Sequence, residues 1–285
     1  MRGRERSATP HLEQVLRARL KERGRILVPY VTGGLPGVDP DLLRWLEEAG
    51  ADAIEVGIPF SDPVMDGPVV QEASRRALAA GATRERILAT VERAGLGIPV
   101  VLMTYLNPVW ARGFAAFLED AASAGASGVV VPDLPVDEAA GWTAACAAAG
   151  VAPVFLAAPG TGPGRLRAVA EASRGFVYCV STYGVTGERD ALATTAEELV
   201  ASLRPLTDLP LLVGVGIATP AQAEEACRFA DGVVVGSAIV RRLLRGDREG
   251  AVRLTAAFRE AVGVGSPAGP PTRTTEGRPS GPPAR

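Results

Sequence analysis

The chain has 285 residues, 47% of them hydrophobic, with a formal net charge of −2 and a pI near 5.7. That is enough apolar material for one barrel-sized α/β domain or two modest ones. It offers no basic surplus for nucleic acid or an anionic membrane. The apolar runs stop short of the roughly 20 residues of a membrane span, and residues 1–25 are charged without a signal-peptide core. A cytoplasmic protein is therefore expected. Cys146, Cys179 and Cys227 are widely spaced in apolar surroundings and read as buried thiols. The single histidine, His11, and the single lysine, Lys21, both precede the first strand-like run. A histidine metal site and an internal imine-forming lysine are thereby excluded, and no metal is expected. Chemistry falls to carboxylates, hydroxyls, backbone amides and arginines.

In chain order, residues 1–25 read as an N-terminal helical segment. Eight short, mostly apolar strands follow at 26–32, 53–58, 100–104, 128–131, 152–157, 176–181, 211–214 and 232–235, the pattern of parallel strands buried on both faces. Amphipathic helices lie between them, among them 41–49, 113–124 and 221–229, and Asp39-Pro40 and Thr219-Pro220 start two of these as N-cap and N1 pairs. Runs such as Ala49-Gly50-Ala51-Asp52-Ala53-Ile54 and Phe229-Ala230-Asp231-Gly232-Val233-Val234 echo one another, each a small-residue turn feeding a buried strand. A (β/α)8 TIM barrel over residues 26–265, in a single domain, fits best. The rival, a doubly wound open sheet, lacks a glycine fingerprint after the first strand. Residues 266–285 are Pro, Gly, Thr and Arg with little apolar content and are expected to be disordered.

In such a barrel the active site forms at the C-terminal ends of the strands. Period-two alternation along the second strand sends Ile54, Val56 and Ile58 toward the helices and Glu55 into the barrel between Ala53 and Gly57. A carboxylate there is costly to bury and has no lysine partner. It reads as an acid/base raised toward neutrality, against the alternative of a structural bond to an arginine or amide. The next loop carries Asp62 and Asp66, for which turn or helix capping and a chemical role stay equally open on spacing alone. Gly184–Gly187 after the sixth strand, Gly216 after the seventh, and Gly236-Ser237 leading into a short helix stand where this fold seats phosphates.

The run Glu55-Val56-Gly57-Ile58-Pro59-Phe60-Ser61-Asp62-Pro63, continuing to Asp66-Gly67-Pro68, resembles the signature of tryptophan synthase α chains. Thr104-Tyr105-Leu106-Asn107-Pro108, Pro132-Asp133-Leu134-Pro135, Gly184-Val185-Thr186-Gly187 and Val235-Gly236-Ser237-Ala238 support the likeness, which spans about residues 26–244. The resemblance implies retro-aldol cleavage of indole-3-glycerol phosphate to indole and glyceraldehyde 3-phosphate. It implies Glu55, Asp66 and Tyr178 as catalytic positions, Gly187, Gly216, Gly236 and Ser237 as phosphate-binding, and Tyr30, Val130 and Leu156 as the indole pocket. It also implies a β partner in an α2β2 heterotetramer, met through Pro59, Phe60, Asp62, Asn107 and Pro135, with Phe60 an exposed aromatic. No cofactor is expected in this chain, and pyridoxal phosphate only in the partner. The composition agrees, because protonated indole serves as its own electron sink where neither lysine nor metal is at hand. A stand-alone lyase releasing free indole, or another phosphate-binding barrel enzyme, remains the alternative.

Overall fold

A computed structural model describes residues 11–180, 189–214 and 216–263. The expected tail 266–285, the loop 184–187 and the first ten residues lie outside them. The strands are β1 Ile26–Thr32, β2 Ile54–Gly57, β3 Val100–Met103, β4 Ala126–Val130, β5 Ala152–Val154, β6 Leu156–Ala157, β7 Val177–Val180, β8 Leu211–Gly214 and β9 Gly232–Val235. All pairings are parallel and the order is β5-β4-β3-β2-β1-β9-β8-β7-β6. Since β5 and β6 are halves of one chain path, this order closes on itself, and the fold is a (β/α)8 barrel.

The fifth expected strand, 152–157, is interrupted at Phe155. Its first half pairs with β4 and its second with β7. The carbonyls of Pro153 and Phe155 accept from Arg174 N–H and Tyr178 N–H on the β7 side. A residue's N–H and C=O point the same way along a strand, so Pro153 would have to donate toward β7 and has no N–H to give. The ladder therefore starts one residue pair later there.

Two apolar layers hold the barrel. Ile54, Val56, Ile58, Leu102, Val129, Val213 and Val235 face outward into the helical shell. Ile26, Val28, Ala53, Val101, Val154, Phe176, Leu212 and Val234 fill the interior, as alternation demands of strands covered on both faces. The helix His11–Arg23 completes the interior. Its Leu12 and Leu16 are fully buried among those residues, and a Cβ on Gly128 or Gly175 would strike the Leu12 side chain. The N-terminal mouth is thereby plugged and the open end is left to the C-terminal rim.

The two N-cap and N1 pairs behave as the sequence indicates. Leu42 N–H donates to Asp39, and Thr219 and Gln222 form a reciprocal capping box. The echoed turns share one device. Asp52 N–H donates to Leu27 C=O while its carboxylate accepts Leu27 N–H; Asp231 does the same with Leu211. Arg23 and Arg259 complete the first carboxylate and Arg204 the second.

Candidate active site

The site grows from β2 and the loop beyond it. Glu55 is 2% exposed and points inward, and its Oε2 has no hydrogen-bond partner. After Gly57 the chain turns through Val64 N–H to Asp62 C=O and Asp66 N–H to Pro63 C=O. It then enters the helix Pro68–Ala79, with Gly67 as N-cap and Pro68 in the first turn. No side chain caps this helix, so the capping reading of Asp66 falls away. The Asp66 carboxyl instead has the Tyr105 hydroxyl as a neighbour, which acts to lower it. That hydroxyl also accepts the Met65 N–H at 3.0 Å.

One cavity of about 310 Å³ collects most of the residues expected at the site. Glu55, Asp66, Tyr178, Tyr30, Val130, Leu156, Gly216, Gly236 and Ser237 all line it, together with Met65, Met103 and Ile217. Gly187 lies outside the described residues. Gly216 has φ +90, and Gly236 N-caps the helix Ser237–Leu243, so a backbone turn and a helix start line the cavity at the ends of β8 and β9.

Two inward tyrosines set the cavity's width, each resting on a glycine of the next strand. A Cβ on Gly57 would lie 2.1 Å from the Tyr30 hydroxyl, and one on Gly214 would lie 2.4 Å from that of Tyr178. Only glycine leaves room at either position.

Electrostatically the site is a carboxyl pair. Burial, and then the charge of Asp66, push Glu55 up to about 8. Burial also raises Asp66, to about 6, with the Tyr105 hydroxyl acting against it. Near pH 7 the first is an acid and the second an anion, the separation of roles that a proton-transfer site requires. Burial raises both tyrosines as well, leaving them neutral.

The expected rim residues are partly exposed. Asp62, Asn107 and Pro135 face solvent, while Pro59 and Phe60 are half-buried. Phe60 is thus not the exposed aromatic expected, because its ring packs on Tyr105 at 5.4 Å between centroids. The exposed apolar side chains near this rim are Val64 at 78%, Met65 at 59% and Trp110 at 70%. Leu106 N–H donates to Asp133, tying together the loops that carry Asn107 and Pro135. Sequence reasoning missed Tyr105 as a site residue. Its one available signal was its place directly after a strand whose Met103 faces the cavity.

His11 sits at the plugged end, 3.4 Å from Ser127 Oγ, and the three cysteines are buried with their thiols pushed up by desolvation. Among the described residues no group of three His, Cys, Asp or Glu side chains has the spacing to hold a metal, and no helix is long and apolar enough to cross a membrane. A parallel barrel whose C-terminal mouth gathers two carboxyls and glycine-rich turns in one cavity has the build of a barrel enzyme. The profile described as "Tryptophan synthase alpha chain" matches residues 16–263. The chain belongs to this family. It is 45% identical over 237 residues to the tryptophan synthase alpha chain of Picosynechococcus sp., covering 80% of this chain and 88% of that one. It is 41% identical over 256 residues to that of Oceanobacillus iheyensis, covering 88% and 97%. A crystal structure of tryptophan synthase from M. tuberculosis superposes with a TM-score of 0.81 at 38% identity, covering 90% of this chain and all of that one. The alpha subunit from Legionella pneumophila gives 0.82 at 32% identity, covering 90% and 99%.

Proposed function

We infer that this cavity cleaves indole-3-glycerol phosphate to indole and glyceraldehyde 3-phosphate, with Glu55 as the proton carrier. As a member of its family the chain is a carbon–carbon lyase and the α subunit of tryptophan synthase in tryptophan biosynthesis. The observation that carries the residue assignment is the buried Glu55, held protonated and unpartnered, in one cavity with an ionisable Asp66.

The steps follow from those two protonation states. Glu55 delivers its proton to indole C3, which breaks the ring's aromaticity and places positive charge on the nitrogen. Asp66 accepts the indole N–H and stabilises that charge, which develops only along the reaction. The glycerol hydroxyl next to the ring then gives its proton to the Glu55 carboxylate. The carbon–carbon bond breaks, its electrons return to the indole, and the hydroxyl carbon becomes the aldehyde. Glu55 ends as it began. Tyr178 flanks the reacting carbons, Tyr30, Val130 and Leu156 hold the ring, and Gly216, Gly236 and Ser237, with Gly187, take the phosphate through neutral N–H groups. The cavity-lining residues described include no lysine or arginine, so nothing there would neutralise the two carboxyls.

The partner is a β subunit carrying pyridoxal phosphate, in an α2β2 assembly, docked on the rim of Pro59, Phe60, Asp62, Asn107 and Pro135. Indole release by the purified chain, with and without β from the same source, tests this. Strong activation by β is expected. Fast turnover alone with no β effect would leave a stand-alone indole-3-glycerol phosphate lyase.

A further inference from the structure

Tyr30 does more in this site than wall off an aromatic ring. It is the register partner of Glu55 across β1 and β2, so the two side chains stand side by side on the inner face. Its ring begins against Gly236, 3.5 Å from where a Cβ would sit, and ends with the hydroxyl over Gly57. Thr32 Oγ1 donates to that hydroxyl at 3.4 Å, which leaves the tyrosine's own proton to point elsewhere. Among the described residues no acceptor takes it, and both Tyr30 and Glu55 line the cavity. The inner face thus holds a buried hydroxyl without an acceptor among the described residues, next in register to a buried carboxyl oxygen without a donor. Each is costly alone, and a bond between the two would satisfy both.

We propose that Tyr30 is a positioning residue for the proton carrier: its hydroxyl, seated on Gly57 and oriented by Thr32, donates to the Glu55 carboxylate whenever Glu55 has given up its proton. This rests on Glu55 being that carrier. The other groups facing Glu55 are Asp66 from the loop after β2 and Tyr178 from β7, with Tyr105 beyond β3 next to Asp66. Asp66 opposes ionisation of Glu55, and the described lining residues include no cationic group. A hydrogen bond to the ionised form is then the remaining means of drawing Glu55 down from about 8. Thr32 matters because its donation fixes which way the phenol proton turns.

The test is the pH dependence of cleavage in Tyr30→Phe and Thr32→Val, alongside infrared titration of the buried carboxylic acid band that Glu55→Gln removes. Tyr30→Phe loses one oxygen and keeps the ring. It should move the alkaline limb of kcat/KM, and the infrared midpoint, upward by about one pH unit, while KM changes by less than about threefold. Thr32→Val should move both the same way by less. An unmoved or lowered midpoint in Tyr30→Phe overturns the proposal, as does a shift in Thr32→Val with none in Tyr30→Phe. Should Glu55→Gln retain full turnover, the carrier assignment itself fails, and the infrared midpoint still reports whether Tyr30 bonds Glu55.

Discussion

The Tyr105 hydroxyl accepts the N–H of Met65 at 3.0 Å, pinning the loop after β2 to the residues beyond β3, and from there it acts to lower the neighbouring Asp66 carboxyl. Among the described residues no helix cap or ion pair restrains the Asp66 side chain, so the pinned loop sets where its carboxyl points. Tyr105→Phe removes the hydroxyl that lowers Asp66, so its carboxyl should rise above about 6. The acid limb of kcat/KM should shift upward by about one pH unit, with a loss of roughly twofold at pH 7 that grows toward tenfold below about pH 5. A pH–rate series on the variant checks this, and an unmoved acid limb would show the tether to be incidental.

Glu55→Gln should reduce cleavage by at least about 10²-fold, the usual worth of a positioned acid, while the fold persists. Steady-state indole release measures it, and a variant keeping more than about a tenth of turnover would remove Glu55 from the mechanism.

The same residue makes stability depend on pH. Glu55 has its folded value near 8 against an ordinary 4.5, so between those values the folded chain binds more protons than the unfolded one. Stability is fully present below about 4.5 and is lost as pH rises toward 8. Glutamine has no such penalty. The thermal midpoint of Glu55→Gln relative to the parent should therefore increase from pH 5 to pH 8, by more than about 1 kcal/mol in stability. A constant difference across that range would contradict the raised value.

At the closed end, Asp52 accepts Leu27 N–H, Arg23 and Arg259 while fully buried. Burial outweighs these partners and keeps its carboxyl above the usual range. Asp52→Ala strands a buried N–H and a partly buried guanidinium, which costs about 3–5 kcal/mol. Urea unfolding should show that loss, with kcat/KM within about twofold because the cavity is at the other mouth. An equal fall in activity at full folding would mean the two ends are coupled.

Trp110 is 70% exposed on the helix Leu106–Arg112 that leaves the rim. If the rim meets β, Trp110→Ala should weaken that association by roughly tenfold or more, as buried aromatic anchors do, and leave cleavage by the isolated chain unchanged. Titration calorimetry against β decides it, and unaltered affinity would place the interface elsewhere.

Alternation and spacing in the sequence determined the barrel, the inward direction of Glu55, and the two helix starts at Asp39 and Thr219. Each of these is set within a few neighbouring residues by side-chain period or by a local cap. Glycines placed after strands pointed in the same way to the wall that Gly216, Gly236 and Ser237 share. Other features belong to residues far apart in the chain, and only the tertiary structure decided them. Asp66 gave the same signal for a cap as for a site residue until the helix after it was found uncapped by any side chain and its carboxyl in the cavity, near Tyr105, 39 positions on. Phe60 looked exposed until the same Tyr105 covered it. Gly57 and Gly214 passed as small strand residues until Tyr30 and Tyr178 filled the space that their missing Cβ atoms leave. The break at Phe155 needed both neighbours of that strand to be known. Local periodicity sets which face a side chain takes, but burial and pKa depend on the summed neighbours from every strand, and closing the barrel supplies those neighbours.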